Sequence, residues 1–563
     1  MTELLTQLQT EGALTPEQAQ AVARRVQRTG QPTEEALLAL GFCSEAKVYQ
    51  TLSKLTHLPL CDASQLHSTA EAQSKIPQAL SQRFQCLPLS LQDGVLTIAF
   101  AHPPLATQLD QLRLLTGTNC RPLLALPSDL NDRLQQNYGL GADKVRKIRA
   151  ARPREETNSA DIPQESPLVG EDSVSSLVND ILEAAVQAKA TDIHIEPFPE
   201  KLALRFRIDG LLEQIPTPPG MAALGEAIVS RIKVMAKLDI AERRLPHDGR
   251  LKLLCLGEQL DLRVSILPTR HGESLCLRIL NSGNLRMKME DLGLSPECLK
   301  RLQNQLRRPN GLMLVTGPTG SGKTTTLYSI LSHLMQARPD LKIITVEDPV
   351  EYEINGLTQV QVHSDIGLTF AATLRSILRH DPDVILVGEI RDRETAEIAI
   401  QAALTGHLVL SSLHTIDAVG AISRLVNMGV ESDLVSSALR CVIAQRLVRR
   451  LCPNCSQEDT RLSPEDAREL TLAAKQLGIR GVAPRQAKPG GCPQCRNTGY
   501  QGRIGIYEIL EIQDELEDLI AANATNSQLR AEAAKHGWTP CRMDALRKVL
   551  LGLTDLSELH RTC

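Results

Sequence analysis

The chain has 563 residues, 42% of them hydrophobic, with 62 basic against 66 acidic side chains and a formal net charge of −4. At about 150 residues per domain it needs three or four separate cores, and its acidic balance gives no general attraction to nucleic acid or anionic lipid. Aromatic residues make up only 2%, poor material for stacking bases in a single-strand channel. No apolar run reaches the ~18 residues that span a bilayer, and Met1-Thr2-Glu3-Leu4 lacks the basic start of a signal peptide. A cytoplasmic chain is expected, one that meets a membrane only through partners.

Residues 1–62 carry a weak repeat: Leu8-x-x-x-Gly12-x-x-Thr15 returns 29 residues later as Leu37-x-x-x-Gly41-x-x-Ser44. Each glycine suits the left-handed position that closes a helix, and each hydroxyl suits the cap of the next. Thr15-Pro16-Glu17-Gln18 adds proline at the first helical position and a capping-box glutamine. From Phe84 to Tyr138 the pattern changes to a small α/β module. There Leu96, Ile98 and Phe100 alternate as one strand face, and 105–115 reads as a helix. Together 1–140 is expected to be a helical and α+β accessory domain. Residues 141–170 hold Lys144, Arg146, Lys147, Arg149, Arg152 and Arg154, then acidic and polar residues and three prolines, and read as a mobile linker.

A smaller α/β domain is expected over 171–290, with a helix to about Ala188 and strands at 192–196 and 202–208. From Leu292 to Leu447 helix and strand signals alternate as a parallel sheet wrapped by helices requires, so 291–448 is assigned to the main α/β domain. Inside it, Gly317-Pro318-Thr319-Gly320-Ser321-Gly322-Lys323-Thr324 is a complete G-x-x-x-x-G-K-T loop between an apolar strand and a helix beginning Thr324-Thr325-Thr326. Such a loop aims backbone N–H groups and the positive helix end at phosphate. Lys323 reaches the β- and γ-phosphates and the Thr324 hydroxyl can ligate Mg²⁺. The chain is therefore expected to bind ATP. Hydrolysis also needs carboxylates. Two acidic clusters end predicted strands, Glu347-Asp348 after Ile343–Val346 and Glu389 after Val384–Gly388. In an open parallel sheet those ends face the ligand crevice, although acidic residues there also commonly cap the next helix.

The chain has fourteen cysteines, and in the cytosol these favour metal ligation or buried thiols over disulfides. Cys452-Pro453-Asn454-Cys455 and Cys492-Pro493-Gln494-Cys495 offer four thiolates to tetrahedral Zn²⁺, a closed structural site in a lobe placed at 449–505. A helical segment is expected over 506–563.

Leu378-Arg379-His380-Asp381-Pro382 through Gly388-Glu389-Ile390-Arg391-Asp392 resembles the signature of the type II secretion and type IV pilus assembly ATPases. Thr345–Glu351 resembles their aspartate box, and Thr405-Gly406-His407-Leu408 through Leu413-His414-Thr415 their histidine box. The paired cysteines and Thr498-Gly499-Tyr500 resemble the family as well. The resemblance covers about 170–563. It implies a RecA-like P-loop motor domain working as a homo-hexamer, with nucleotide at subunit or domain boundaries. It assigns Glu347 as general base and places Glu389 near Mg²⁺ or the attacking water. His414 becomes a γ-phosphate sensor, with His407 supporting its box. Arg205, Arg207 and Arg250 become candidates for neutralising phosphate charge, and Arg205 and Arg207 share one strand face. A surface ion-pair role stands beside that reading for each arginine.

The resemblance also implies partners: an inner-membrane platform protein and a membrane-anchor protein. The amino-terminal region resembles the family's accessory domain, which in some members binds cyclic di-GMP. This chain lacks the Arg-Leu-Gly lead of binders and has His102-Pro103 where Asp-Pro is usual, so docking is expected in preference to cyclic dinucleotide binding. Two other classes stand against the motor. One is a non-hydrolysing, nucleotide-gated scaffold, disfavoured by the intact carboxylates; the other is a DNA translocase, disfavoured by charge and aromatic content.

Overall fold

Four helices, Thr2–Thr10, Pro16–Thr29, Thr33–Leu40 and Glu45–Thr56, open the chain. The computed structural model describes residues 2–29, 32–137, 145, 171–218, 220–280, 287–460, 462–479 and 483–563. It divides into two units, Met1–Ile279 and Leu280–Cys563. The repeat shows in the turns, where Gly12 (φ 70°) and Gly41 (φ 69°) both take the left-handed conformation that a side chain resists. Thr15 and Gln18 cap reciprocally: the Gln18 amide donates to Thr15 Oγ1 at 3.2 Å and the Thr15 amide to Gln18 Oε1 at 2.9 Å. Ser44 precedes the fourth helix in extended conformation, but its hydroxyl makes no capping bond. The second half of the repeat thus keeps the turn without the cap.

A small sheet follows, formed by β1 (Leu60–Cys61), β2 (Cys86–Gln92), β3 (Val95–Phe100) and β4 (Asn119–Ala125) in the order β1-β4-β3-β2. Leu96, Ile98 and Phe100 are buried as their alternation requires, and the helix Ala106–Thr116 covers the expected span. The linker expected over 141–170 lies outside the described residues, apart from Val145.

The helix Glu171–Gln187 leads into β5 (Asp192–Pro197), β6 (Leu202–Ile208) and β7 (Leu211–Ile215). After the helix Gly225–Met235 come β8 (His247–Cys255), β9 (Glu258–Thr269) and β10 (Gly272–Leu280). These six strands form one sheet in the order β7-β6-β5-β10-β9-β8. Ile193, Ile195, Leu204 and Phe206 face a core shared with Leu177 and Ile181 of the first helix and Ile228 of the second. The alternate positions carry Asp192, His194, Glu196, Arg205 and Arg207. Period-two alternation therefore gives this sheet one apolar and one charged face.

In the second unit, seven strands run β13-β12-β14-β15-β11-β16-β19. They are β11 (Gly311–Thr316), β12 (Ile343–Glu347), β13 (Thr358–Gln361), β14 (Val384–Val387), β15 (Leu408–Leu413), β16 (Leu439–Leu451) and β19 (Tyr500–Glu511). Pairings within the first six are parallel, and β19 alone runs antiparallel, against β16. Leu312 and Leu314 pack into one core while Met313 and Val315 pack into another on the opposite face. Helices cover both faces, which is why these strands read as unbroken apolar runs.

The boundary expected at 448 and the helical segment expected from 506 need correction. Chain from beyond the cysteine lobe returns as β19 and pairs with β16 from Cys441↔Glu511 to Leu451↔Tyr500. Later helices then complete the same core through Leu516, Ile520, Leu529 and Cys541. The lobe between them holds the short pair β17 (Gln457–Glu458) and β18 (Arg485–Gln486) and the helix Pro464–Leu477.

Candidate active site

The glycine loop joins β11 to the helix Lys323–Ala337. Gly317 (φ 149°) and Gly322 (φ 89°) both need a missing side chain. A Cβ at Gly317 would stand 2.3 Å from the Gln445 carbonyl, and one at Gly322 2.7 Å from the Gln445 side-chain amide. Pro318, Thr319 and Gly320 form the exposed crest, and Ser321 lies beneath them. Ser321 Oγ is buried and has no hydrogen-bond partner among the described residues, the kind of atom a phosphate oxygen would satisfy. Thr324 and Thr325 occupy the first helical turn, half-buried. With the Glu389 carboxylate, the Thr324 hydroxyl gives the hard oxygen donors that Mg²⁺ takes. Lys323 Nζ donates to the carbonyls of Gly317 (2.9 Å) and Pro318 (3.2 Å). Desolvation holds its pKa below the ordinary lysine value, against the opposing charge of Glu389.

His414 and Glu389 reach the same place from neighbouring strands. His414 follows β15, with Nδ1 3.4 Å from Lys323 Nζ and Nε2 3.6 Å from Glu389 Oε2. Desolvation and the Lys323 charge lower its pKa below the ordinary imidazole value, outweighing Glu389, which favours the neutral ring. Glu389 also binds Arg391, whose other nitrogen lies 3.5 Å from Asp348. Arg391 therefore ties together the two acidic clusters. The helix-capping alternative belongs to Asp392, which accepts from the Thr395 amide at 2.8 Å. His407 lies at the other end of β15, where its Nδ1 meets the Ala402 carbonyl at 2.9 Å. A strand of six residues thus separates it from His414, and their shared sequence box is not one spatial cluster.

Glu347 ends β12 beside Gly388, in contact but buried at 4% exposure. The Tyr328 hydroxyl donates to its Oε2, and Oε1 accepts from Thr345 Oγ1 (2.7 Å) and Gln359 Nε2 (3.3 Å).

The three arginine candidates belong to the amino-terminal unit. Arg205 is paired across the β5–β6 register with Glu196 at 2.5 Å. Arg207 lies 3.8 Å from Asp192 and donates to the Gly210 carbonyl at 3.0 Å. Their shared anionic target in this unit is thus a row of carboxylates on β5. Arg250, on β8, is exposed.

The four cysteines converge as their spacing predicts. All four Sγ atoms lie within 4.8 Å of one another, and the Cys452–Cys492 and Cys455–Cys495 pairs are 3.8 Å apart. Four Zn–S bonds of ~2.3 Å in a tetrahedron put sulfurs ~3.8 Å apart, so the group fits zinc with no position left open. Against the desolvation that raises it, the amides of Cys492 and Gly499, each 3.1 Å from Sγ, bring the Cys495 thiol down to about 6. The two amides favour at Cys495 the thiolate a metal needs, while burial and the neighbouring sulfurs push the Cys455 thiol the other way.

Sequence reasoning missed three supports. Buried Gln445, on β16, donates to the Ser321 carbonyl and accepts from Thr326 Oγ1, each at 2.7 Å. Thr316, the last residue of β11, meets Thr415 Oγ1 at 2.6 Å and accepts from the Thr415 amide at 3.0 Å, which latches the histidine loop to the phosphate strand. Ser411 and Ser412 bond the carbonyls of Val387 and Gly388, each at 2.7 Å, and lock β15 to the segment bearing Glu389. The polar interruption Ser411-Ser412 in an otherwise apolar strand was the available signal.

A family profile described as type II/IV secretion system protein matches residues 168–561, and an MshEN domain profile matches 56–143. The chain is 39% identical over 557 residues to the type IV pilus assembly ATPase PilB of Myxococcus xanthus, spanning 98% of this chain and 96% of that protein. It is 43% identical over 526 residues to the type II secretion system protein E of Xanthomonas campestris, spanning 93% and 91%. The Legionella pneumophila ATPase DotB shares the fold, with a TM-score of 0.50 at 21% identity over 71% of this chain and 97% of that one. RecA-like architecture, phosphate loop and sequence agree: the chain belongs to the type II/IV secretion system protein family.

Proposed function

We propose that this chain is an ATP-hydrolysing homo-hexameric motor that powers assembly of a type II secretion pseudopilus or a type IV pilus at the inner membrane. One observation carries the reading: at the carboxyl ends of β11, β14 and β15, His414 stands between the phosphate loop and Glu389, 3.4 Å from Lys323 Nζ and 3.6 Å from Glu389 Oε2. Binding of ATP draws Lys323 from its loop carbonyls to the β- and γ-phosphates. Neutral His414 then hydrogen-bonds the γ-phosphate, and Glu389 orients the attacking water. Glu347 accepts the water's proton. Mg²⁺ held beside Thr324 supplies charge to the phosphate oxygens. Arg205, Arg207 and Arg250 are assigned to phosphate neutralisation in the assembled ring. Zn²⁺ on Cys452, Cys455, Cys492 and Cys495 is structural.

The relatives' names support the secretion and pilus context. Among the described residues no helix is long and apolar enough to cross a membrane. We assign attachment to an inner-membrane platform protein and a membrane-anchor protein, with residues 1–140 as the docking region. His102 is held there between Glu34 (3.1 Å) and Glu35 (3.3 Å), an acidic setting that favours protein docking over binding of an anionic dinucleotide.

The test is phosphate release by the purified full chain. Wild type should turn over ATP, and Lys323→Ala should lose about 100-fold or more. An assembled protein that holds ATP unsplit, even with its membrane anchor, would sink the motor and leave the nucleotide-gated scaffold.

A further inference from the structure

Glu347 is buried, yet it is not left unpaired. A carboxylate offers roughly four lone-pair sites. Thr345 and Gln359 take two on Oε1, and Tyr328 takes one on Oε2. Oε2 thus keeps a single free direction, and the Tyr328 hydroxyl determines which one. Tyr328 lies on the helix Lys323–Ala337, five residues beyond the phosphate-binding lysine. Its ring is braced edge-on by Tyr352, with centroids 4.7 Å apart and planes at 62°. The Tyr352 carbonyl in turn accepts from Gln359 Nε2 at 3.2 Å. Tyrosine, carboxylate and glutamine form a continuous chain from the helix that follows the phosphate loop to β13.

We propose that Tyr328 is the positioning residue for Glu347: its hydroxyl aims the free lone pair of Oε2, so the base is tied to the helix that grips phosphate. This rests on Glu347 acting as the base. Tyr352 and Glu351, from the loop after β12, stand against Tyr328, and Gly388, just before Glu389, stands against Glu347. Gln359 of β13 adds an uncharged donor. Burial, reinforced by Glu347 itself, pushes the Tyr328 phenol far above its ordinary value, and it remains a donor at every pH where the protein is assayed.

The experiment measures phosphate release from pH 5.5 to 9, binding of a non-hydrolysable ATP analogue, and thermal melting, all on the full chain. Tyr328→Phe should bind the analogue within about twofold of wild type. Its kcat should fall about tenfold across that pH range, while melting stays near wild type. Wild-type kcat, or a loss of kcat matched by an equal loss of analogue binding, overturns the proposal. Should Tyr328→Phe fail to fold, Thr345→Val removes a donor from Oε1 and carries the same test. A loss of kcat with analogue binding kept then supports donor control of the base, and wild-type kcat overturns it. Glu347→Gln separates this from the underlying reading: if that variant still hydrolyses ATP, Glu347 is not the base, whatever Tyr328→Phe does.

Discussion

Gln445 donates its side-chain amide to the Ser321 carbonyl across 2.7 Å, joining residues 124 positions apart. Its side-chain oxygen accepts from the Thr326 hydroxyl, also at 2.7 Å. One buried side chain therefore holds both the lower limb of the phosphate loop and the first turn of the helix it feeds.

Replacing Gln445 with leucine keeps the volume and removes both bonds. The buried Ser321 carbonyl would then lack its partner, at ~1–3 kcal/mol. Because the loop's N–H groups bind phosphate only when correctly aimed, affinity for ATP should fall about 10–100-fold. Titration with a fluorescent ATP analogue measures this, and melting without nucleotide shows whether the fold survives. Unaltered affinity would mean that the glycines alone hold the loop.

The tetracysteine site ends one long strand and begins another. Cys452 follows β16 directly, and its amide donates to the Gly499 carbonyl at 2.9 Å, just before β19 starts. Metal there would pin the outer end of the β16–β19 pair. Elemental analysis should find about one zinc per chain, and Cys492→Ser should lose the ion and melt earlier, by the several kcal/mol that structural zinc contributes. Less than about half a zinc after gentle purification would count against the site.

The phosphate loop and the cysteine knuckles were legible because each works through a few neighbouring residues whose spacing is itself the geometry. Glu389 was legible from topology, since strand ends in a parallel sheet face the ligand. Gln445 was not, because a lone glutamine carries no local signal and its partner is distant. The return of β19 was hidden for a related reason: Gly502 and Gly505 interrupt its apolar pattern, and its pairing with β16 is long-range. His407 misled because proximity to His414 in sequence becomes separation along a strand.

Arg205 and Arg207 illustrate the same limit, since facing the same side gave no hint of which anion they meet. Arg205 is bound to Glu196, while Arg250 is exposed. In assembled protein, Arg250→Ala should therefore lower turnover about tenfold or more with little change in melting. Arg205→Ala should cost stability first, because Glu196 is left without its partner. A double-mutant cycle of Arg205 with Glu196 separates the roles: coupling seen in melting but not in turnover makes Arg205 structural. Full turnover by Arg250→Ala would remove it from the site.

Glu558 offers the clearest pH test. Its oxygens accept from Arg449 Nε (2.9 Å) and the Arg449 amide (2.8 Å), and from Arg561 Nε (2.8 Å). Arg449 also lies 3.8 Å over the Tyr500 ring. Burial raises the Glu558 pKa, but the two guanidinium groups prevail and hold it down to about 2 from an ordinary value of 4.5. Because the folded-state value is depressed, the stabilisation is complete above about pH 4.5 and is lost as pH falls toward 2. Glu558→Gln should thus cost ~3 kcal/mol at pH 7. Urea unfolding of the two proteins side by side should show that gap intact at pH 6 and narrowing below about 4.5. Acid release of zinc affects both proteins alike and cancels in the difference. A gap that stays constant down to pH 3.5 would show that Arg449 and Arg561 do not stabilise the charged form, and that the cost of the substitution is one of packing.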